Sequence, residues 1–326
     1  MHPHISQVQT SQLTAVIQLS KENGDEIMLY TEINGLKLSK FTLGTVQLGM
    51  EYGVANKTGK PSMEKAHEII GAALANGVNS LDTAAAYGNS EEVIGAYLRK
   101  TGEKPFITSK FKSYGGNARE ELKASIENTV KRLGVDSVDV YMFHSAPEMM
   151  ANAELLEDML TSDERIKIPG ASIYTQEEAE AFLKYPYLKA IQIPASVLDT
   201  RLISSGIIDE LKNRGTIVFV RSVFLQGLLC MEELPEKYMI LKDSIAEMRE
   251  VAKYENMTMA ELGVSFMRDV PGISTLALGC ETVEQVKENA SLVNCKSLSS
   301  VAYDQVMEIS KRVPIEEVML RIQGKK

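Results

Sequence analysis

The stretch GVNSLDTAAAYGNSEEVIGAYL (residues 77–98) holds one complete strand–loop–helix unit. Val78 to Leu81 reads as a short strand. Asn89 with Glu92 three residues on has the spacing of a capping box, and Val93, Ile94, Tyr97 and Leu98 follow as one apolar stripe at helical period. Between strand and helix lies Asp82-Thr-Ala-Ala-Ala-Tyr87-Gly88, an acid and a phenol separated by small residues.

The same alternation recurs outward in both directions. Phe41 to Gly44 reads as a strand, followed by a helix over Met63 to Asn76 that stops at Gly77. Phe106 to Ser109 is the next strand. The helix Ala118 to Leu133 then carries Leu122, Ile126, Thr129 and Leu133 on one face and ends at Gly134. Val138 to Phe143 is a nearly unbroken apolar run, as expected of a strand covered on both faces. Ile166 to Ala171, Leu188 to Ile193, Ile217 to Val220 and Ile273 to Leu278 bring the strands to eight. Helices lie between them, one closed by Gly215, and Thr258/Glu261 and Thr282/Gln285 have the spacing of two more capping boxes.

Strict strand–helix alternation predicts a parallel sheet, and eight repeats predict closure into an α/β fold of the (β/α)8 TIM-barrel type. With 326 residues, eight units have about 41 residues each, a generous barrel unit. Ahead of the barrel, Leu29 to Ile33, Asn34-Gly35 and Leu36 to Leu38 predict a β-hairpin, because Asn-Gly favours the type I′ turn. One residue fits poorly. Pro169 lies inside the fifth strand, where it has no N–H for the ladder, so the strand either starts after it or bulges there. The expected organisation is a polar arm over residues 1–27, in which Thr14 to Leu19 could add a strand, and a single barrel domain over residues 28–326.

Composition narrows the function classes. The chain is 44% hydrophobic and 24% charged, ordinary for a globular protein. No apolar run approaches 18 residues, and residues 1–27 lack the basic and apolar regions of a signal peptide, so no membrane association and a cytoplasmic location are expected. Cys230, Cys280 and Cys295 are too few and too scattered for a disulfide framework or a zinc site, and no metal is expected. A net charge of −9 argues against nucleic acid as a partner.

In such a barrel the chemistry lies at the C-terminal ends of the strands. Those ends carry Gly44-Thr45-Val46, Asp82-Thr83, Lys110, His144-Ser145, Ser172, Gln192, Arg221 and Gly279. Core strands exclude charge, so a carboxylate, an ammonium and an imidazole ending three consecutive strands stand out. Taken singly, Asp82 suits a turn and His144 a satisfied core histidine. Lys110 is harder to dismiss, because a buried lysine needs a partner and Asp82 is the natural one. A phenol near an ammonium should have a lowered pKa, and a neutral imidazole can donate to a substrate oxygen. Together these groups suit protonation of a carbonyl as hydride arrives, with the hydride drawn from a nicotinamide.

With those residues in view, LGTVQLGMEYG (43–53), the 77–98 stretch, TSK (108–110) and VYMFHS (140–145) resemble the aldo-keto reductase family, and the resemblance extends from about residue 29 to about 295. It implies reduction of an aldehyde or ketone with NAD(P)H, Tyr87 as proton donor, Lys110 and Asp82 tuning it, and His144 orienting the carbonyl. The same resemblance places Gly44, Thr45, Val46 and Asp82 beside the nicotinamide and its ribose, and Ser172 and Gln192 at the carboxamide, with Ile173 where the family usually has Asn. Arg221 stands where an aromatic ring commonly stacks on the nicotinamide, and its guanidinium plane could stack there in the same way, as part of the cofactor site. Ser222, Leu225 and Gly227 match the pyrophosphate loop, and Gly279, Glu281, Gln285, Glu288 and Asn289 match the adenosine site. Glu281 and Gln285 stand where NADP-preferring members carry Arg or Lys. Glu281 would repel a 2′-phosphate, which predicts weakened NADP preference, although Gln285 could simply cap its helix and Arg221 could form a rim salt bridge.

The expected partner is a small carbonyl substrate. The loop after His144 (Ser145 to Ala151) reads as short, which suggests an open site, and Gly49 to Pro61 reads as part of its rim. Two rivals remain open: a Schiff-base lyase using Lys110, and a non-catalytic cofactor-binding regulatory subunit of the same fold.

Overall fold

A computed structural model describes residues 15–17 and 28–322. Eight strands, β4 (Phe41–Gly44), β5 (Ser80–Asp82), β6 (Phe106–Phe111), β7 (Val138–Phe143), β8 (Ile166–Ser172), β9 (Ala190–Pro194), β10 (Ile217–Arg221) and β11 (Thr275–Gly279), form a closed barrel. Every neighbouring pair is parallel, and β11 closes onto β4. Helices lie between the strands, and two more, Ser300–Ser310 and Ile315–Ile322, follow the barrel. This is the (β/α)8 TIM barrel expected from the alternation.

The period-2 pattern of each strand separates two cores. Outward-facing residues such as Leu43, Leu81, Ile107, Tyr141 and Ile191 pack into the large cluster beneath the helices. Inside the barrel a smaller cluster contains Val140, Met142, Ala190, Ile217 and Phe219. A buried hydroxyl set, Thr42 bonded to Ser80 at 2.5 Å and to Thr275 at 2.7 Å, lies between β4, β5 and β11. Two residues along β5, β9 and β10 from Ser80, Ala190 and Phe219 come Asp82, Gln192 and Arg221, so the same parity that fills the interior delivers polar groups at its top.

Three antiparallel strands, β1 (Ala15–Ile17), β2 (Tyr30–Ile33) and β3 (Leu36–Ser39), precede the barrel. The expected extra strand therefore forms over Ala15–Ile17; the rest of Thr14 to Leu19 lies outside the described residues. Asn34 and Gly35 both have positive φ, +52° and +77°, as a type I′ turn requires. Ile33 and Leu38 of this hairpin join the interior cluster, closing the N-terminal end of the barrel. Burying each contributes about 2 kcal/mol.

Four sequence expectations change. Pro169 lies within β8 with no bulge: Val140↔Ile168, Tyr141↔Pro169 and Met142↔Gly170 run in unbroken register. Its carbonyl accepts the Lys189 N–H at 2.9 Å, and the β9 ladder starts only at Gly170↔Ala190, so the missing N–H costs no ladder bond there. Asn89 makes no side-chain cap; its Oδ1 accepts Lys60 Nζ at 2.5 Å, and the Glu92 box is absent. The segment after His144 is not a loop. Ser145 caps the helix Ala146–Ser162 with Glu148 in a complete capping box, a Ser-x-x-Glu signal that the sequence carries openly. The Thr258/Glu261 box forms as expected. Thr282 accepts the Gln285 N–H, but the Gln285 side chain reaches one residue further back, to the Glu281 N–H at 2.7 Å.

Candidate active site

Asp82, Lys110 and His144 end β5 and β6 and follow β7, and Tyr87 is brought over them by the turn after β5. That turn is held from beneath by buried hydroxyls. Thr45 Oγ1 donates to the Asp82 carbonyl at 2.8 Å, Ser90 Oγ donates to the Thr45 carbonyl at 3.0 Å, and Thr83 Oγ1 donates to Ser90 Oγ at 3.0 Å. Gly49 permits the close approach: a Cβ there would stand 1.9 Å from the Tyr87 carbonyl oxygen.

Lys110, 1% exposed, is the hub. Its Nζ donates to Asp82 Oδ1 and Oδ2 at 2.7 and 2.9 Å, to the Thr83 carbonyl at 3.0 Å and to Tyr87 Oη at 3.3 Å. Burial pulls its pKa down, but Asp82 and the Tyr87 phenol outweigh that, and the ammonium is held above its usual range. An amine so protonated and fully engaged has no lone pair for attack, which disfavours the Schiff-base alternative.

Tyr87 departs from expectation. Burial raises its pKa more than Lys110 and Arg221 lower it, so the phenol is held protonated above its ordinary value. His144 packs edge-on against Tyr87, centroids 5.8 Å apart at 87°. Burial first, then the charges of Lys110, Lys112 and Arg221, push its pKa down to about 3, so the ring is neutral. Its Nδ1 is buried with no hydrogen-bond partner among the described residues. A buried N–H without an acceptor is costlier than an idle lone pair, which favours the tautomer with its proton on Nε2.

A cleft of about 420 Å³ opens beside these groups. Gly44, Thr45, Val46, Asp82, Tyr87, Arg221, Ser222, Gly227, Gly279, Glu281, Gln285, Glu288 and Asn289 all line it. Other sequence candidates lie elsewhere. Leu225 turns its side chain into the core, and Ser172 is buried at 4% exposure. Gln192, 1% exposed, donates to Asp82 Oδ1 at 2.9 Å and so acts on the carboxylate. Arg221 forms no ion pair among the described residues; it donates to the Ile173 carbonyl at 3.1 Å and lies 4.2 Å over the Tyr174 ring. Asn289 donates to Cys280 Sγ at 3.2 Å, and Thr58 Oγ1 donates to Glu281 at 3.5 Å.

The rim includes Tyr52, Gly53, Ala55 and Asn56, within the expected 49–61 segment. It meets the loop after β10, where Ser222, Leu225, Gln226 and Gly227 all have positive φ. The Ala55 N–H donates to the Gln226 carbonyl at 3.2 Å, and Gln226 Nε2 donates to Tyr52 Oη at 3.1 Å. Gln47, Tyr52 and Tyr174 are the site neighbours that the sequence reading missed. Tyr174 had a signal, since it continues the parity of Ser172. Gln47 had none: it occupies space that only the absent Cβ of Gly279 leaves, and its Oε1 is buried without a partner.

The sequence profile of the Aldo/keto reductase family matches residues 40–311. The chain belongs to this family. Relatives include an NADH-specific methylglyoxal reductase of Escherichia coli K12, 24% identical over 79% of this chain and 91% of that protein. An L-glyceraldehyde 3-phosphate reductase of Escherichia coli O157:H7 is 24% identical over 85% and 90%. Among solved structures, the holo form of an aldo-keto reductase from Bacillus halodurans superposes with a TM-score of 0.70 at 22% identity, covering 86% of this chain and 96% of that one. A glycerol dehydrogenase from Gluconobacter oxydans gives 0.68 at 21%, covering 87% and 96%. Aldo-keto reductases are oxidoreductases that act on small carbonyl compounds and generally bind nicotinamide cofactors. Among the described residues no helix is long and apolar enough to cross a membrane, and no cluster of His, Cys, Asp and Glu is arranged to hold a metal.

Proposed function

We propose that this aldo-keto reductase reduces a small aldehyde or ketone, or oxidises the matching alcohol, with Tyr87 as the general acid. The observation that carries the reading is Lys110 Nζ, bonded at once to both Asp82 oxygens and to the Tyr87 hydroxyl. Tyr87 releases its proton to the carbonyl oxygen, and the nearby ammonium stabilises the phenolate left behind. Asp82, held by Gln192, keeps that ammonium charged and aimed. His144, neutral with its proton on Nε2, donates a hydrogen bond to the same oxygen. Bound NAD(P)H supplies the hydride.

The cleft suits such a cofactor: it runs from Tyr87 to the helix start at Thr282, and the loop at 222–227 offers backbone at positive φ where side chains are tight, Gly227 leaving no room for a Cβ beside Ala55. Gly44, Thr45 and Val46 would hold its reactive end and Ser222 and Gly227 its phosphates. Gly279, Gln285, Glu288 and Asn289 would line the adenosine end. Glu281 faces that end with no cation bonded to it among the described residues, which supports a preference for NADH over NADPH. The relative named for NADH specificity points the same way. The relatives named for methylglyoxal and L-glyceraldehyde 3-phosphate support a short aldehyde as substrate.

Tyr87→Phe tests the reading. It should lower kcat/KM for a short aldehyde about 10²- to 10⁴-fold while the enzyme still binds NADH, followed by fluorescence. Undiminished turnover would refute Tyr87 as the acid. Titration with both reduced cofactors should find NADH the tighter; the opposite order removes the role given to Glu281.

A further inference from the structure

Charge at the catalytic end of the cleft does not balance. Asp82 is the acid that lines that end, and it is committed to Lys110 and Gln192. Arg221 ends β10 on the interior face and lines the cleft with Tyr87. Its guanidinium is fixed by the Ile173 carbonyl and by the Tyr174 ring, so little rotamer freedom remains to be lost on binding. Its other N–H groups find no protein acceptor, and no carboxylate pairs with it, among the described residues. Lys112, whose charge is felt at His144, forms no ion pair among the described residues. Glu148, which feels the Lys112 charge, accepts the Ser113 and Ser145 N–H groups at 2.8 and 3.1 Å.

A preorganised guanidinium fork without a counter-charge, beside the group that protonates the substrate, matches a carboxylate or phosphate. We propose that Arg221 recognises an anionic group on the substrate, so that the carbonyl compound reduced here carries a carboxylate or a phosphate. The proposal rests on the reductase reading and narrows it to one chemical class. In it, the carbonyl oxygen lies against Tyr87 and His144 while the anion engages the free N–H groups of Arg221. Lys112 contributes long-range attraction that weakens with salt.

Matched pairs test it with NADH as reductant: glycolaldehyde phosphate against glycolaldehyde, and succinic semialdehyde against butanal. The wild-type enzyme should favour at least one anionic member by tenfold or more in kcat/KM, and the favoured pair tells phosphate from carboxylate. Arg221→Met should lower the anionic-to-neutral ratio of that pair about 10- to 100-fold. Without turnover, 2-phosphoglycolate should bind the NADH-loaded enzyme more weakly in the variant by a similar factor, measured by calorimetry. A wild-type preference for both neutral members, or a ratio unmoved by the substitution, overturns the proposal. So does a variant that loses NADH affinity while keeping its ratio, since Arg221 would then serve the cofactor. Reduction of the neutral aldehydes alone would leave the reductase reading intact and refute only the anion site. If no carbonyl is reduced, the reductase reading fails, and Arg221-dependent calorimetry still decides whether the anion site exists.

Discussion

The two ends of the cleft are built on different plans. At the catalytic end, side chains far apart in sequence converge on one network: Lys110 of β6 holds Asp82 of β5 and Tyr87, and Gln192 of β9 holds Asp82 from across the barrel. At the far end, the hydrogen bonds are made within one stretch of chain or by the rim loop. Gln285 bonds the Glu281 N–H, Asn289 bonds Cys280, and Thr58 reaches Glu281. A convergent network fails as a unit when one member goes, whereas locally satisfied groups can be exchanged one at a time.

The largest expected effect breaks that contrast directly. Lys110→Met leaves Asp82, 5% exposed, with its charge unpaired, and should cost about 3–5 kcal/mol of stability together with nearly all activity. Glu281→Ala at the far end should change stability by about 0.5 kcal/mol or less. Denaturant titration of both variants checks this, and equal losses would erase the distinction.

Next is Gly49→Ala. The new methyl would press on the Tyr87 carbonyl and the Ser90 N–H, 1.9 and 2.6 Å from its ideal position, so the Tyr87 turn must move. A displacement of about 1 Å at a catalytic group costs on the order of 10²-fold in kcat/KM. Wild-type rates in this variant would show that the turn has slack. A smaller effect concerns pH. His144 is neutral in the fold with a pKa of about 3, against 6.5 when unfolded. Its contribution to stability is complete above pH 6.5 and is lost as pH falls toward 3, because only the unfolded chain takes up the proton in that window. The slope from this group approaches about 1.4 kcal/mol per pH unit, and His144→Asn should flatten the acid limb of unfolding free energy against pH by that amount, read from denaturant titrations across that range. The smallest concerns the helix starts. Thr258→Ala removes a complete capping box and should cost about 1 kcal/mol, whereas Asn89→Ala, which removes no cap bond, should cost clearly less. Comparison of the two Tm values decides it.

The strand ends were legible because β-strand parity and charge exclusion act locally. An ionisable residue closing an apolar run, as in Ile107-Thr-Ser-Lys110, is visible without a fold. The direction of the Tyr87 shift was not legible, because it depends on how deeply the turn seats the phenol against Lys110. The role of Gln192 was hidden for a similar reason, since its partner Asp82 lies 110 residues away in sequence. Pro169 misled in the opposite sense: its type argued against an inner strand, but the offset start of β9 relieves the missing N–H. The cap at Asn89 misled because Lys60, from the rim loop, takes the side chain first.

The hairpin beneath the barrel has a consequence for protons. With Ile33 and Leu38 packed into the interior cluster at the N-terminal end, the barrel opens toward the cleft that Tyr87 lines. Lys110, 1% exposed, reaches that mouth only past Asp82 and Tyr87, its two bonded partners that line the cleft. The plug at one end of the molecule thus leaves proton exchange, in the proposed reaction, to the other.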